Sequence, residues 1–124
     1  MTPLAIILVE ADPSVSDAFQ AFAQALGFAL TVFETVDAAI AGVRPPGTGI
    51  IIADLATDAD IRRLLAWCGT LSVRPAIILL TEQSPALLQR RLAEARDIKV
   101  LRKPVAATEI LDALKAITDA RRGA

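Results

Sequence analysis

Histidine and tyrosine are absent from this 124-residue chain, and cysteine occurs once, at Cys68. A single thiol rules out an intrachain disulfide, and without imidazole the usual zinc and non-haem iron sites are nearly excluded. A metal here has to be a hard ion held by oxygen. Net charge is also small: 13 basic residues stand against 14 acidic ones, for a net charge of -1. No global field draws in nucleic acid or an anionic membrane, and neither is expected as a partner. The apolar run that opens the chain ends at Val9, far short of the ~20 residues a membrane span needs, and no basic region precedes it. A soluble, cytoplasmic protein is expected.

What is present is apolar and periodic. The chain is 54% apolar and 22% charged with no low-complexity tract, and its length suits one core, so residues 1–124 read as a single domain with no output domain. Strand-like stretches occur at 4–9 (LAIILV), 28–33 (FALTVF), 49–53 (GIIIA), 76–80 (AIILL) and 98–101 (IKVL). Several are almost continuously apolar, as parallel strands covered on both faces are. Between them Val15, Phe19, Phe22 and Leu26 recur at helical spacing, opened by Pro13-Ser14 and closed by Gly27. Weaker helical patterns fill 35–43, 59–68 and 85–95, and a stronger one fills 105–121 through Ile110, Leu111, Leu114 and Ile117. Trp67 and Cys68 fall on the packing face of the third of these or at its edge. Alternating strands and helices with right-handed crossovers give an α/β, flavodoxin-like (βα)5 doubly wound parallel sheet of order 2-1-3-4-5.

In that order the strand ends share one edge, and the polar residues collect there. The first strand ends in Glu10, Ala11 and Asp12, the third in Asp54, the fourth in Thr81, and the fifth in Arg102-Lys103-Pro104. Clustered carboxylates repel unless a cation intervenes, and Mg²⁺ suits oxygen donors of this kind. A hydroxyl and an ammonium opposite would suit a phosphoryl group. Each residue also has a plainer role. Asp54 alone could cap a helix, Thr81 could form a local turn, and Glu82 could be a solvated loop acid. Asp12 before Pro13 is as natural an N-cap as a metal ligand.

Taken together and in order, "ILVEADP", "IIIADL", "IILLT" and "VLRKP" resemble the receiver domains of two-component response regulators, across the whole chain. The resemblance implies that Asp54 accepts a phosphoryl group, that Thr81 is the switch hydroxyl, and that Lys103 pairs with the phosphate ahead of a cis bond to Pro104. It implies Mg²⁺ held at Glu10, Asp12 and Asp54 and by the Ala56 carbonyl, with Ala56 and Gln83 governing water access. It implies no classical enzyme, only a phosphoacceptor signalling domain with self-catalysed transfer and dephosphorylation. The partner it implies is a histidine kinase or histidine phosphotransferase, met by the weakly charged face of Ser16, Gln20, Ala21, Gln24 and Ala25. The basic segment 90–103 would meet an acidic partner or a second copy.

The chain departs from the family pattern at four places. Ala11 stands where an acidic metal ligand is usual, which predicts weak Mg²⁺ binding. Val100 replaces the aromatic switch residue, Glu82 a small residue beside the site, and Asp58 a proline. These departures keep open a second reading, a pseudo-receiver that binds partners without Mg²⁺-dependent phosphorylation. A flavin carrier or flavodoxin-like enzyme is disfavoured, because acids rather than a Gly-, Ser- or Thr-rich loop follow the first strand.

Overall fold

The computed structural model describes residues 5–43, 49–55, 57–71, 74–82 and 98–122. Five strands, β1 (Ala5–Val9), β2 (Ala29–Phe33), β3 (Ile50–Asp54), β4 (Ala76–Thr81) and β5 (Ile98–Arg102), form one parallel sheet of order β2-β1-β3-β4-β5. Four described helices accompany them: α1 (Pro13–Leu26), α2 (Val36–Gly42), α3 (Asp58–Gly69) and α4 (Ala107–Arg122). The fold is the expected flavodoxin-like one. The helix expected at 85–95 lies outside the described residues.

Strand alternation sends side chains to two apolar layers. Ile7, Val9, Ile51, Ala53, Ile77, Leu79 and Val100 face α2 and α3, packing on Val36, Ala39, Ile61, Leu64 and Cys68, with Trp67 at the margin. Ile6, Leu8, Ile50, Ile52, Ile78 and Leu80 face the other way, toward Phe19 and Phe22 of α1 and Ile110, Ala113 and Leu114 of α4. Full burial of one such aliphatic side chain contributes about 1.5–3 kcal/mol, and truncating Leu8 or Ile78 to alanine would cost about 2–5 kcal/mol. Against β2, α2 packs so closely that a Cβ at Gly42 would lie 2.5 Å from the Phe33 ring.

Helix ends follow their local chemistry. Asp12 caps α1, accepting from the Ser14 amide at 2.9 Å, and Gly27 closes it in the left-handed conformation at φ 77°. Thr35 and Thr57 cap α2 and α3 through their hydroxyls. The last helix begins at Ala107, two residues later than its apolar pattern suggests. The Ala106 carbonyl accepts from the Glu109 and Ile110 amides, so Ala106 sits at the boundary and Val105 belongs to the preceding loop. Leu26, the last residue of the apolar period in α1, is 43% exposed, and Ala23 is the buried residue of the helix. Leu26 is the last residue of α1, beside the Gly27 turn that leads to β2. Among the described residues no helix is long and apolar enough to cross a membrane.

Candidate functional site

The carboxyl edge of the sheet is held by continuous backbone pairing. β1 leads into Glu10, whose amide donates to the Phe33 carbonyl at 2.9 Å, so the β1–β2 ladder extends one residue beyond the strand. Glu10 is only 6% exposed as a result. Asp54 ends β3 opposite Leu80, and Thr81 ends β4 opposite Arg102. The Lys103 amide donates to the Thr81 carbonyl at 2.7 Å, and the Lys103–Pro104 bond is cis. Thr81 is buried.

From that frame the Lys103 ammonium reaches Asp54 and forms an ion pair with its Oδ2. Both side chains are mostly shielded, at 31% and 18% exposure, so the pair is screened less than a surface pair would be. Glu10 lies beside them. Burial first, then the charge of Asp54 and a side-chain hydrogen bond to it, push the Glu10 carboxyl up to about 7. Lys103 and a backbone hydrogen bond from Ala11 oppose the rise. That rise favours the neutral, protonated form of Glu10 beside the Asp54 carboxylate. Burial disfavours the charged Lys103, but the hydrogen bond and charge of Asp54, with Glu10 and Glu82 behind them, outweigh it and raise the ammonium above its ordinary value.

Glu10, Asp54, Glu82 and Lys103 line one cavity of about 480 Å³, floored by Leu80 and walled by Val15, Phe19, Pro104, Val105 and Ile110. A second cavity of about 340 Å³ shares Val15, Phe19, Val105 and Ile110 and runs between α1 and the start of α4 past Ala18 and Phe22. The two cavities thus share an apolar wall, and the charged groups are confined to the first. The second cavity was not anticipated, although Phe19, Phe22 and Ile110 at helical spacing were its signal.

The other expected site residues fall elsewhere. Asp12 is exposed and turned to its cap, where Oδ1 accepts from both the Ser14 amide and, at 2.8 Å, the Ser14 hydroxyl. The Ser14 side-chain bond, then its backbone bond, hold that carboxyl below its ordinary value. Asp58 is the first residue of α3, with Asp60 in the same turn. Val100 is buried in the layer beneath α3. Ala56 and Gln83, and the basic segment before Ile98, lie outside the described residues. A further ion pair, Arg63 Nε to Asp37 Oδ1 at 2.6 Å, ties α3 to α2 on the exposed surface. It has no link to the cavity.

A hard divalent ion asks for several converging oxygens near octahedral positions. Ala11 offers no side-chain oxygen, Asp12 points to its cap, one Asp54 oxygen is paired with Lys103, and Glu10 is buried with its carboxyl pushed toward the neutral form. No three acidic side chains among the described residues are grouped so as to hold a metal. These donors do not fit Mg²⁺.

No family model and no curated protein matches the chain. Its structure is nevertheless similar to solved receiver domains. A signal receiver domain from Vibrio parahaemolyticus superposes with a TM-score of 0.82 at 18% identity, covering 98% of this chain and 94% of that one. A CheY-like response regulator receiver domain protein from Methanospirillum hungatei gives 0.82 at 16% identity, covering 99% and 100%. A chemotaxis response regulator of Vibrio cholerae gives 0.78 at 20% identity, covering 94% and 99%. The chain has the fold of response regulator receiver domains.

Proposed function

We propose that this chain is a phosphoryl-accepting receiver in which Asp54 takes a phosphoryl group from the phosphohistidine of a histidine kinase or histidine phosphotransferase. The observation that carries the reading is the Lys103 ammonium seated on Asp54 in the lining of a cavity on the carboxyl edge. A carboxylate oxygen of Asp54 attacks phosphorus, the P–N bond breaks, and the imidazole nitrogen leaves with the bonding pair. Lys103 then faces the new phosphoryl oxygens in place of the carboxylate it pairs with at rest, and the Thr81 hydroxyl sits one strand away. The donor would approach over α1, whose Gln20, Ala21, Gln24 and Ala25 are exposed and uncharged. Lys99 and Arg102 are exposed on β5 and would offer an acidic partner or a second copy a basic edge.

A second reading, the pseudo-receiver, has two observations in its favour. The β1 end lacks the carboxylate that would complete an ion site, and Val100 is packed in the core, where it has no ring to rotate between two states. Intact-mass measurement after incubation with a small phosphodonor, with chelator and with added Mg²⁺, separates the two readings. One added phosphoryl group on the native chain and none on Asp54→Asn is the expected result. No mass gain in either condition would favour the pseudo-receiver, and labelling of Asp54→Asn would remove Asp54 from its role.

A further inference from the structure

Two carboxyl groups meet at the carboxyl edge, and a cation has to neutralise them. We propose that Lys103 is the resident counter-cation of Asp54 and that this site holds its charge without any divalent ion, whichever reading of function is correct. The arrangement of the two sides of the cavity carries the inference. On one side the Lys103 backbone is fixed to β4 by the bond from its amide to the Thr81 carbonyl at 2.7 Å, and its ammonium ends on Asp54 Oδ2. On the other side, among the described residues, the β1-end donors a divalent ion would need are missing or partly spent. Ala11 presents a methyl group, and the Asp12 oxygen that could have compensated accepts two hydrogen bonds from Ser14.

Competition follows from this geometry. An ion entering the cavity meets the ammonium's positive charge on the same carboxylate and gives up waters it releases reluctantly, while finding no group of three acidic side chains among the described residues. The ammonium is tethered and always present at its site, whereas the ion has to be recruited from solution. An acidic side chain at position 11 would shift the balance toward the ion. Removing the ammonium would shift it the same way.

The test is a Mg²⁺ titration of the full chain, followed by amide chemical shifts of residues 9–12 and 53–54 and by thermal unfolding. The native chain should show no saturable response at millimolar ion. Ala11→Asp should gain saturable binding, tighter by roughly tenfold to over a hundredfold, as expected for one added charge-assisted contact. Lys103→Met should also bind more tightly than the native chain, because its competitor is gone. Saturation of the native chain below millimolar ion, or equal affinities for native and Ala11→Asp, would overturn the proposal. Should Lys103→Met not fold, the native and Ala11→Asp titrations decide alone. The phosphodonor experiment is independent: labelling that requires added Mg²⁺ would overturn the resident-cation proposal and leave the phosphoacceptor reading standing.

Discussion

The ends of β1 and β5 lie on the same edge of one sheet, yet they solve opposite problems. At the β5 end a charge is delivered: Lys103 is anchored through its backbone to Thr81 and places its ammonium on Asp54. At the β1 end charge is withdrawn. Glu10 is buried beside Asp54 and its carboxyl is pushed up toward the neutral form, Ala11 has no charge to give, and Asp12 is turned away to cap α1. The difference shows that a site's charge balance is set by where backbone pairing aims each side chain, and not by how many acids stand near it in sequence.

The comparison is broken most severely from the β5 side. Lys103→Met leaves Asp54 and Glu10 close together with no ammonium between them. Removing one partner of a shielded pair typically costs about 3–5 kcal/mol when burial is complete, and partial exposure here lowers the expectation to about 2–3 kcal/mol. Urea unfolding near neutral pH checks it. In the double variant Asp54→Asn/Lys103→Met the loss should be much smaller than the two single losses added, because neither residue then leaves a stranded charge. Additive losses would mean that the pair does not stabilise the edge.

The β1 side is probed by pH. Glu10 binds its proton more tightly in the folded chain, at about 7, than its ordinary value of 4.5. The folded state therefore holds more protons than the unfolded state between those values, and this group's contribution to stability falls as pH rises through that window. A loss on the order of 2 kcal/mol between pH 4.5 and 8 is expected. Glu10→Gln keeps an uncharged hydrogen-bonding side chain and should remove that slope, so the variant matches the native chain near pH 5 and exceeds its stability at pH 8. Parallel pH profiles for the two proteins would show that Glu10 is not held in its neutral form.

Much of this edge could be read from sequence, because it follows from topology. Once alternating strands and helices imply the order 2-1-3-4-5, Asp54, Thr81 and Lys103 must end on neighbouring strands. Element boundaries were legible wherever a cap marked them, as at Pro13 and Gly27. Less legible were features decided by one side chain's surroundings. Glu10 looks like an exposed strand terminus until its amide is seen to continue the ladder to Phe33. Leu26 keeps the apolar period of α1 and still lies at the surface, because periodicity alone does not say which turn of a helix the core covers. Asp12 could equally have capped or ligated, since both roles ask for a carboxylate before Pro13, and only the position of Ser14 separates them.

That last ambiguity yields the smallest expected effect. If Asp12 serves α1 alone, Asp12→Ala should lower stability modestly, as the loss of an exposed N-cap does, and should leave the response to Mg²⁺ unchanged. Asp12→Asn should restore nearly all of the stability, because an amide oxygen caps as well as a carboxylate oxygen. The native cap should weaken in acid. Its carboxylate is held below the ordinary range by Ser14, so the cap's contribution is present above the ordinary carboxylate value and fades as pH falls through the depressed one. Asp12→Asn should lack that acid sensitivity. Urea unfolding of the three proteins at neutral and acid pH measures each step. If Asp12→Asn instead abolished a Mg²⁺ response in the native chain, Asp12 would be drawing charge into the site, and the contrast between the β1 and β5 ends would fail at its weakest point.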